Sequence, residues 1–268
     1  MSLRRRQELV RCAREFDALV VCDDVYDHLQ WPAQSTATSA LSTAALPRVV
    51  DIDAVIDGGA LREGADGFGN AVSNGSFSKI CGPGLRVGWA EGTPKLAFGV
   101  SQVGTSRSGG APSQLTSTYV TELLQSGFIQ KNITTILQPT YARRYRLLIK
   151  AIQNHLVPLG CILPQSERQI VGGYFVWLTL PHNIGADELT RRCLKEEKLI
   201  IAGGRLFEVP GDDRFKYDHS IRLCFSWEDE DKIATGVERL ATVLRRMPDK
   251  QSSPTGEGCG EDAAQQYG

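Results

Sequence analysis

The run Ala18-Leu19-Val20-Val21-Cys22 constrains the fold more than any other stretch of the chain. Short, continuously apolar and closed by Asp23-Asp24-Val25-Tyr26, it has the signature of a strand buried on both faces. Just upstream, Leu9, Val10, Ala13 and Phe16 recur at helical spacing and predict an amphipathic helix over about residues 3–17. A helix followed by a buried strand is half of a parallel α/β layer.

The rest of the chain can be read in the same terms. Residues 32–47 are Ser/Thr/Ala/Pro-rich without periodicity and read as loop; residues 57–70 are Gly-rich and read as an irregular insertion. Strands are expected over Asn70–Phe77 and Leu85–Ala90, then a Gly/Ser-rich loop at 104–113. One helix is marked by Leu115, Tyr119, Leu123 and Leu124. A longer one runs from Ile133 to Ile152, with Pro139 set to kink or break it. Beyond Cys161 the units shorten: a strand over Tyr174–Leu180, a helix over 186–198, and a strand over 220–225. Ser226, followed by Glu228, Asp229 and Glu230, is the expected start of a last helix buried through Ile233, Val237, Leu240 and Leu244. Residues 248–268 carry almost nothing apolar and are expected to form a disordered tail.

Bulk properties exclude several classes of function. With 41% hydrophobic and 23% charged residues and a net charge of −1, the chain has no bulk attraction to nucleic acid or an anionic membrane. No apolar run approaches membrane-spanning length. The seven cysteines are scattered singly, which argues against a zinc site or a disulfide framework and for a reducing compartment. The Arg-rich start passes directly into Glu8, Glu15 and Asp17, so it reads as a folded helix rather than a presequence, with the cytoplasm as the expected location.

Chemistry concentrates in three places. The first is Ser76-Phe77-Ser78-Lys79, followed by Gly82-Pro83-Gly84-Leu85-Arg86-Val87-Gly88-Trp89. A lysine just past a strand, two hydroxyls before it and an arginine seven residues on suit a Schiff base to an aldehyde cofactor. The hydroxyls and the guanidinium would clamp its phosphate. Ser76 and Lys79 also match the Ser-x-x-Lys spacing of penicillin-recognising acylases, but their Lys-Thr-Gly is absent. The glycines miss the dinucleotide fingerprint by one residue, and no Walker motif is present. A surface lysine beside a glycine turn accounts for the same residues. The second place is Asp23 to Tyr26, at the carboxyl end of the apolar strand, where ligands of open α/β sheets bind. Asp23 could hold a pyridinium nitrogen protonated and Tyr26 could hydrogen-bond a ring oxygen; an acidic cap and a core tyrosine is the plainer account. The third is Arg222 in Ser220-Ile221-Arg222-Leu223-Cys224-Phe225, either a carboxylate clamp or an arginine snorkelling at a strand edge.

In this order, the three elements resemble the class I/II aminotransferases of the fold-type I pyridoxal-phosphate superfamily, in the branch of 2-aminoadipate and other broad aminotransferases. Gly172-Gly173-Tyr174-Phe175-Val176-Trp177, Leu180-Pro181 and Pro112-Ser113-Gln114-Leu115 agree, and the resemblance runs over about residues 2–246. It implies an α/β fold: a partial large domain with a mostly parallel central sheet over 1–140, and a smaller α+β C-terminal domain over 141–247. It implies pyridoxal 5′-phosphate as cofactor, with Lys79 forming the Schiff base and shuttling the proton. Asp23 would take the pyridine nitrogen and Tyr26 the 3′-oxygen. Ser76, Ser78 and Arg86 would take the phosphate, and Arg222 the substrate carboxylate. The reaction would be ping-pong transfer between an amino acid and a 2-oxo acid in a homodimer. Family members carry a long N-terminal part with further cofactor contacts, so the sheet here is expected to show an open edge and an apolar face. A regulatory binding module and an inactive remnant of the same fold are the competing readings. No winged-helix segment or basic patch favours the first. For the second, the intact lysine, aspartate, tyrosine and two arginines imply that any loss was recent.

Overall fold

A computed structural model describes residues 1–34, 40–108, 113–164 and 169–247. Through the first half, the elements are α1 (Leu3–Glu15), β1 (Val20–Asp23), β2 (Gln30–Pro32), α2 (Val49–Val55), β3 (Ala71–Ser76), β4 (Gly88–Glu91), α3 (Pro94–Ser101), α4 (Gly104–Arg107), α5 (Gln114–Gln125) and α6 (Phe128–Asn132). Then come α7 (Gln138–His155), β5 (Ile170–Gly172), β6 (Phe175–Thr179), α8 (Ala186–Glu197), β7 (Ala202–Gly203), β8 (Ser220–Cys224) and α9 (Glu230–Arg245). They gather into two units, Met1–Arg146 with Ser166–Tyr174, and Leu147–Gln165 with Phe175–Gly268.

In the first unit the strand order is β1-β3-β4. β1 and β3 run parallel with Asp23 opposite Asn74, and β3 and β4 run antiparallel with Ser76 opposite Gly88. The sheet is therefore mixed among the described strands. The link from β3 to β4 is too short for the crossover that a parallel return needs. Val10, Val49, Val50, Ile52 and Ala71 form a core on which Val20 and Cys22 pack. Successive strand residues point to opposite faces. Leu19 and Val21 accordingly point away from that core and are 43% and 68% exposed, so β1 is buried on one face rather than two.

A buried ion pair holds this core in register. Arg14, the last basic residue of α1, donates to the Asp53 carboxylate at 2.8 Å, and their side chains are 9% and 4% exposed. The other Asp53 oxygen accepts from the backbone N–H groups of Asn70 and Ala71 at 2.6 and 3.1 Å. One side chain thus ties α1 and α2 to the start of β3. Nearby, β2 pairs antiparallel with β5, a contact between short strands that carried no sequence signal.

Several boundaries differ from expectation. Pro83–Leu85 form a 3-10 turn and Arg86 is left-handed (φ 54°), so the strand predicted from Leu85 starts at Gly88; the Gly-Pro-Gly turn overrides the apolar pattern. Gly104–Arg107 make one helical turn inside the predicted loop, whose residues 109–112 lie outside the described residues. The expected irregularity at Pro139 is a π turn over Ile133–Leu137, between α6 and α7. Proline lacks an N–H, and the Gln138 N–H reaches five residues back to the Ile133 carbonyl. Buried beside it, the Gln138 side chain accepts from Leu41 N–H and donates to the His28 and Leu41 carbonyls.

In the second unit, β8 lies between β6 and β7 in an antiparallel sheet. The core includes Val176, Leu178, Ile221, Leu189 and Cys193, with Ile233, Val237, Leu240 and Leu244 of α9. Ser226 does not start α9. Asp229 is its N-cap, and the Ser226 hydroxyl lies 3.2 Å from Cys224 Sγ instead. Four acids, Glu228 to Asp231, crowd this start, and the one whose backbone is extended just before the helix takes the cap. The expected tail over 248–268 lies outside the described residues.

Candidate active site

Parallel pairing places the carboxyl ends of β1 and β3 side by side, and the candidate residues of the first unit follow those two ends. Alternation at the end of β1 separates Asp23 from the Asp24 that follows it. Asp23 shares the open face with Leu19 and Val21, and one of its oxygens accepts from Asn74 Nδ2 at 3.0 Å. Asp24 points to the opposite face and accepts from the Ser73 hydroxyl at 2.7 Å. Asp23 is the carboxylate left accessible to a ligand.

After Ser76 the chain enters a tight turn. The N–H groups of Ile80, Cys81 and Gly82 all converge on the Phe77 carbonyl, at 3.3, 2.8 and 3.2 Å. Ser76 Oγ accepts from the Ser78 N–H at 3.1 Å. Gly75 permits the clamp on the strand below: a Cβ there would come within 2.1 Å of the Trp89 indole, which lies across it and packs on Phe77 at 4.9 Å. The turn carries the half-buried Lys79. Its Nζ lies 5.9 Å from the ring centroids of both Tyr26 and Tyr174. Among the described residues it has no carboxylate partner.

Arg86 is in the same state. Its guanidinium is exposed and donates to the Pro83 carbonyl at 2.9 Å, with no acid paired to it among the described residues. Arg48, by contrast, holds Asp51 at 2.8 Å and Glu91 at 2.7 Å. Two cations without counter-charge, on one short segment with two serine hydroxyls, suit an anionic ligand. That donor set fits a phosphate-bearing aldehyde: an amine for the carbonyl, hydroxyls and a guanidinium for the phosphate, and an accessible carboxylate in Asp23.

Tyr174 escaped the reading of site residues, although Gly172-Gly173-Tyr174 was visible as a motif. Its phenol donates to the Lys79 carbonyl at 2.8 Å, and its ring stands edge-on to Tyr26 at 5.1 Å. Gly173 (φ +80°) turns the chain out of β5 so that Tyr174 reaches this position. Asp27 was also unremarked. Burial, then the nearby Asp24, push its carboxyl up to about 6, with Arg48 opposing at 3.8 Å.

In the second unit, Arg222 occupies the central strand β8, opposite Trp177 on β6 and Ala202 on β7. Its guanidinium is held between two aromatic rings, with Cζ 3.9 Å from the Phe175 centroid and 4.3 Å from that of Phe207. It too has no carboxylate partner among the described residues. A guanidinium oriented by ring contacts has the geometry to receive a carboxylate.

A mixed α/β sheet with a lysine turn at its carboxyl end, and an antiparallel α+β unit whose arginine has no carboxylate partner among the described residues, fit the class of pyridoxal-phosphate-dependent transferases. The aminotransferase class I and II family model matches residues 1–240, and the chain belongs to that family, whose cofactor is pyridoxal 5′-phosphate. It is 38% identical over 246 residues to the uncharacterized protein YER152C of Saccharomyces cerevisiae, covering 91% of this chain and 52% of that one. It is 28% identical over 244 residues to a 2-aminoadipate transaminase of Thermus thermophilus, covering 90% and 53%. Among solved structures, it resembles the α-aminoadipate aminotransferase LysN of T. thermophilus, complexed with N-(5′-phosphopyridoxyl)-L-leucine. The TM-score is 0.69 at 26% identity, over 91% of this chain and 54% of that one. The chain thus spans about half the length of the relatives it matches.

Proposed function

We propose that this chain carries the lysine-bearing part of a pyridoxal-phosphate-dependent aminotransferase that exchanges an amino group between an amino acid and a 2-oxo acid by a ping-pong route. The observation that carries this reading is Lys79. It is an amine without a carboxylate partner among the described residues, just past the carboxyl end of β3, in a chain whose family match is nearly end to end.

When bound, pyridoxal phosphate supplies an electron sink for charge developing at the substrate Cα. Lys79 Nζ would bind the cofactor's aldehyde carbon and, once displaced by substrate, move the proton between Cα and C4′. Asp23 would hold a proton on the ring nitrogen, and Tyr26 would hydrogen-bond the ring oxygen. Ser76, Ser78 and Arg86 would hold the phosphate, and Arg222 the substrate carboxylate. In this reading residues 1–140 belong to the cofactor domain and 141–247 to the small domain. The assembly is a homodimer in the cytoplasm; no described helix is long and apolar enough to cross a membrane. The similarity to 2-aminoadipate transaminase supports a dicarboxylic or broad amino-acid substrate.

The test is a visible absorption spectrum of the purified chain with added pyridoxal phosphate, beside Lys79→Ala. A lysine-dependent band that shifts on adding 2-aminoadipate is expected. Identical spectra from the two proteins would overturn a working cofactor site in this chain.

A further inference from the structure

The turn that presents Lys79 spends its backbone donors on one acceptor. Three successive N–H groups go to the Phe77 carbonyl, and the Lys79 carbonyl receives none of them. Among the described residues its sole donor is the Tyr174 phenol, at 2.8 Å and 95 positions along the chain. Tyr174 is itself well held. Its ring packs on Tyr26 at 5.1 Å and on Tyr141 at 4.8 Å, and the strand before it is anchored through β2. The Gly173 N–H donates to the Leu29 carbonyl at 3.0 Å, which fixes the backbone immediately before the tyrosine.

We propose that Tyr174 is a positioning residue for Lys79: its hydroxyl tethers the lysine's own carbonyl, and its ring closes one side of the space in which the amine swings. The inference rests on the reading of Lys79 as the cofactor-binding amine. A half-buried carbonyl without a donor would let the turn rotate. The amine, four methylenes away, would then spread over many positions rather than one near the ring wall. The effect on aldehyde capture can be read apart from stability, because Tyr174→Phe keeps the ring packing and removes a single hydroxyl.

The experiment uses the full chain and Tyr174→Phe, each incubated with pyridoxal phosphate and quenched at intervals with borohydride. Mass spectrometry then counts reduced adduct at Lys79 and at the exposed Lys131 of α6 as internal reference, and melting midpoints are recorded alongside. Loss of one hydrogen bond of ordinary strength corresponds to about a five- to tenfold slower capture at Lys79. The Lys131 rate should stay unchanged, and the midpoint should fall by no more than the few degrees that one lost hydrogen bond accounts for. Equal Lys79 rates in the two proteins overturn the inference and leave the reading of Lys79 intact. So does a lowered midpoint with both lysines slowed alike, which makes Tyr174 structural only. If the unaltered chain shows no preference for Lys79 over Lys131, the reading itself fails, and the positioning role with it.

Discussion

Asp27 is a carboxyl held partly out of water beside another carboxylate, and that has a measurable cost. Its folded pKa of about 6 lies above the ordinary 3.8, so the folded chain binds this proton more tightly than the unfolded one. The resulting stabilisation is complete below about pH 4 and is lost as pH rises through about 6. Asp27→Asn should therefore unfold at higher urea than the unaltered chain at pH 8, by about 1–2 kcal/mol, and match it at pH 4. Partial exposure and the lost contact to Arg48 keep the figure below the full shift. At Arg222, Met preserves the apolar stem between Phe175 and Phe207 while removing the charge. Arg222→Met should melt close to the unaltered chain but need about 30-fold more amino acid for the same spectral shift, a loss of about 2 kcal/mol. Lys79, Arg86 and Arg222 stood out as candidates because charged groups in strand-and-glycine contexts are conspicuous in one dimension. Tyr174 and Asp27 were not. A tyrosine in an apolar strand looks like core, and a pKa depends on which carboxylates the fold brings near.

Elements with strong periodicity were legible almost to the residue: α1, α5, α8 and the buried face of α9 follow from where apolar residues recur. Short strands such as β2 and β5 were not, because three residues carry no period and their pairing partner is remote in sequence. The start of α9 was misread because a hydroxyl and several acids compete there, and backbone conformation rather than residue type decides among them. The hydrogen bonds that join elements were equally hidden. Asp53 looks like an ordinary helix-surface acid, yet it satisfies the Asn70 and Ala71 amides where β3 begins and the Arg14 guanidinium inside the core. Asp53→Ala should cost about 3 kcal/mol, since it strands a buried cation and two backbone donors at once. Urea unfolding of the variant measures this directly, and a change below about 1 kcal/mol would show that solvent reaches Arg14.

For the molecule as a whole, the α/β class and the order of its parts were legible, because helix followed by apolar strand admits few architectures. How each strand's two faces are covered was not, since the same five apolar letters describe a strand dressed on one side or on both. β1 pairs with β3 on one edge, and on the face away from α1 and α2 it leaves Leu19 and Val21 in water. Leu19→Lys with Val21→Lys should lower light scattering at high protein concentration without lowering the melting midpoint of the dilute chain. The open strand also makes stability a matter of protein concentration. Copies that meet along that edge and face stabilise the folded form by mass action, so the melting midpoint should climb with protein concentration and level off in the double-lysine variant. A single unfolding temperature for this chain then has meaning only when the concentration at which it was taken is stated beside it.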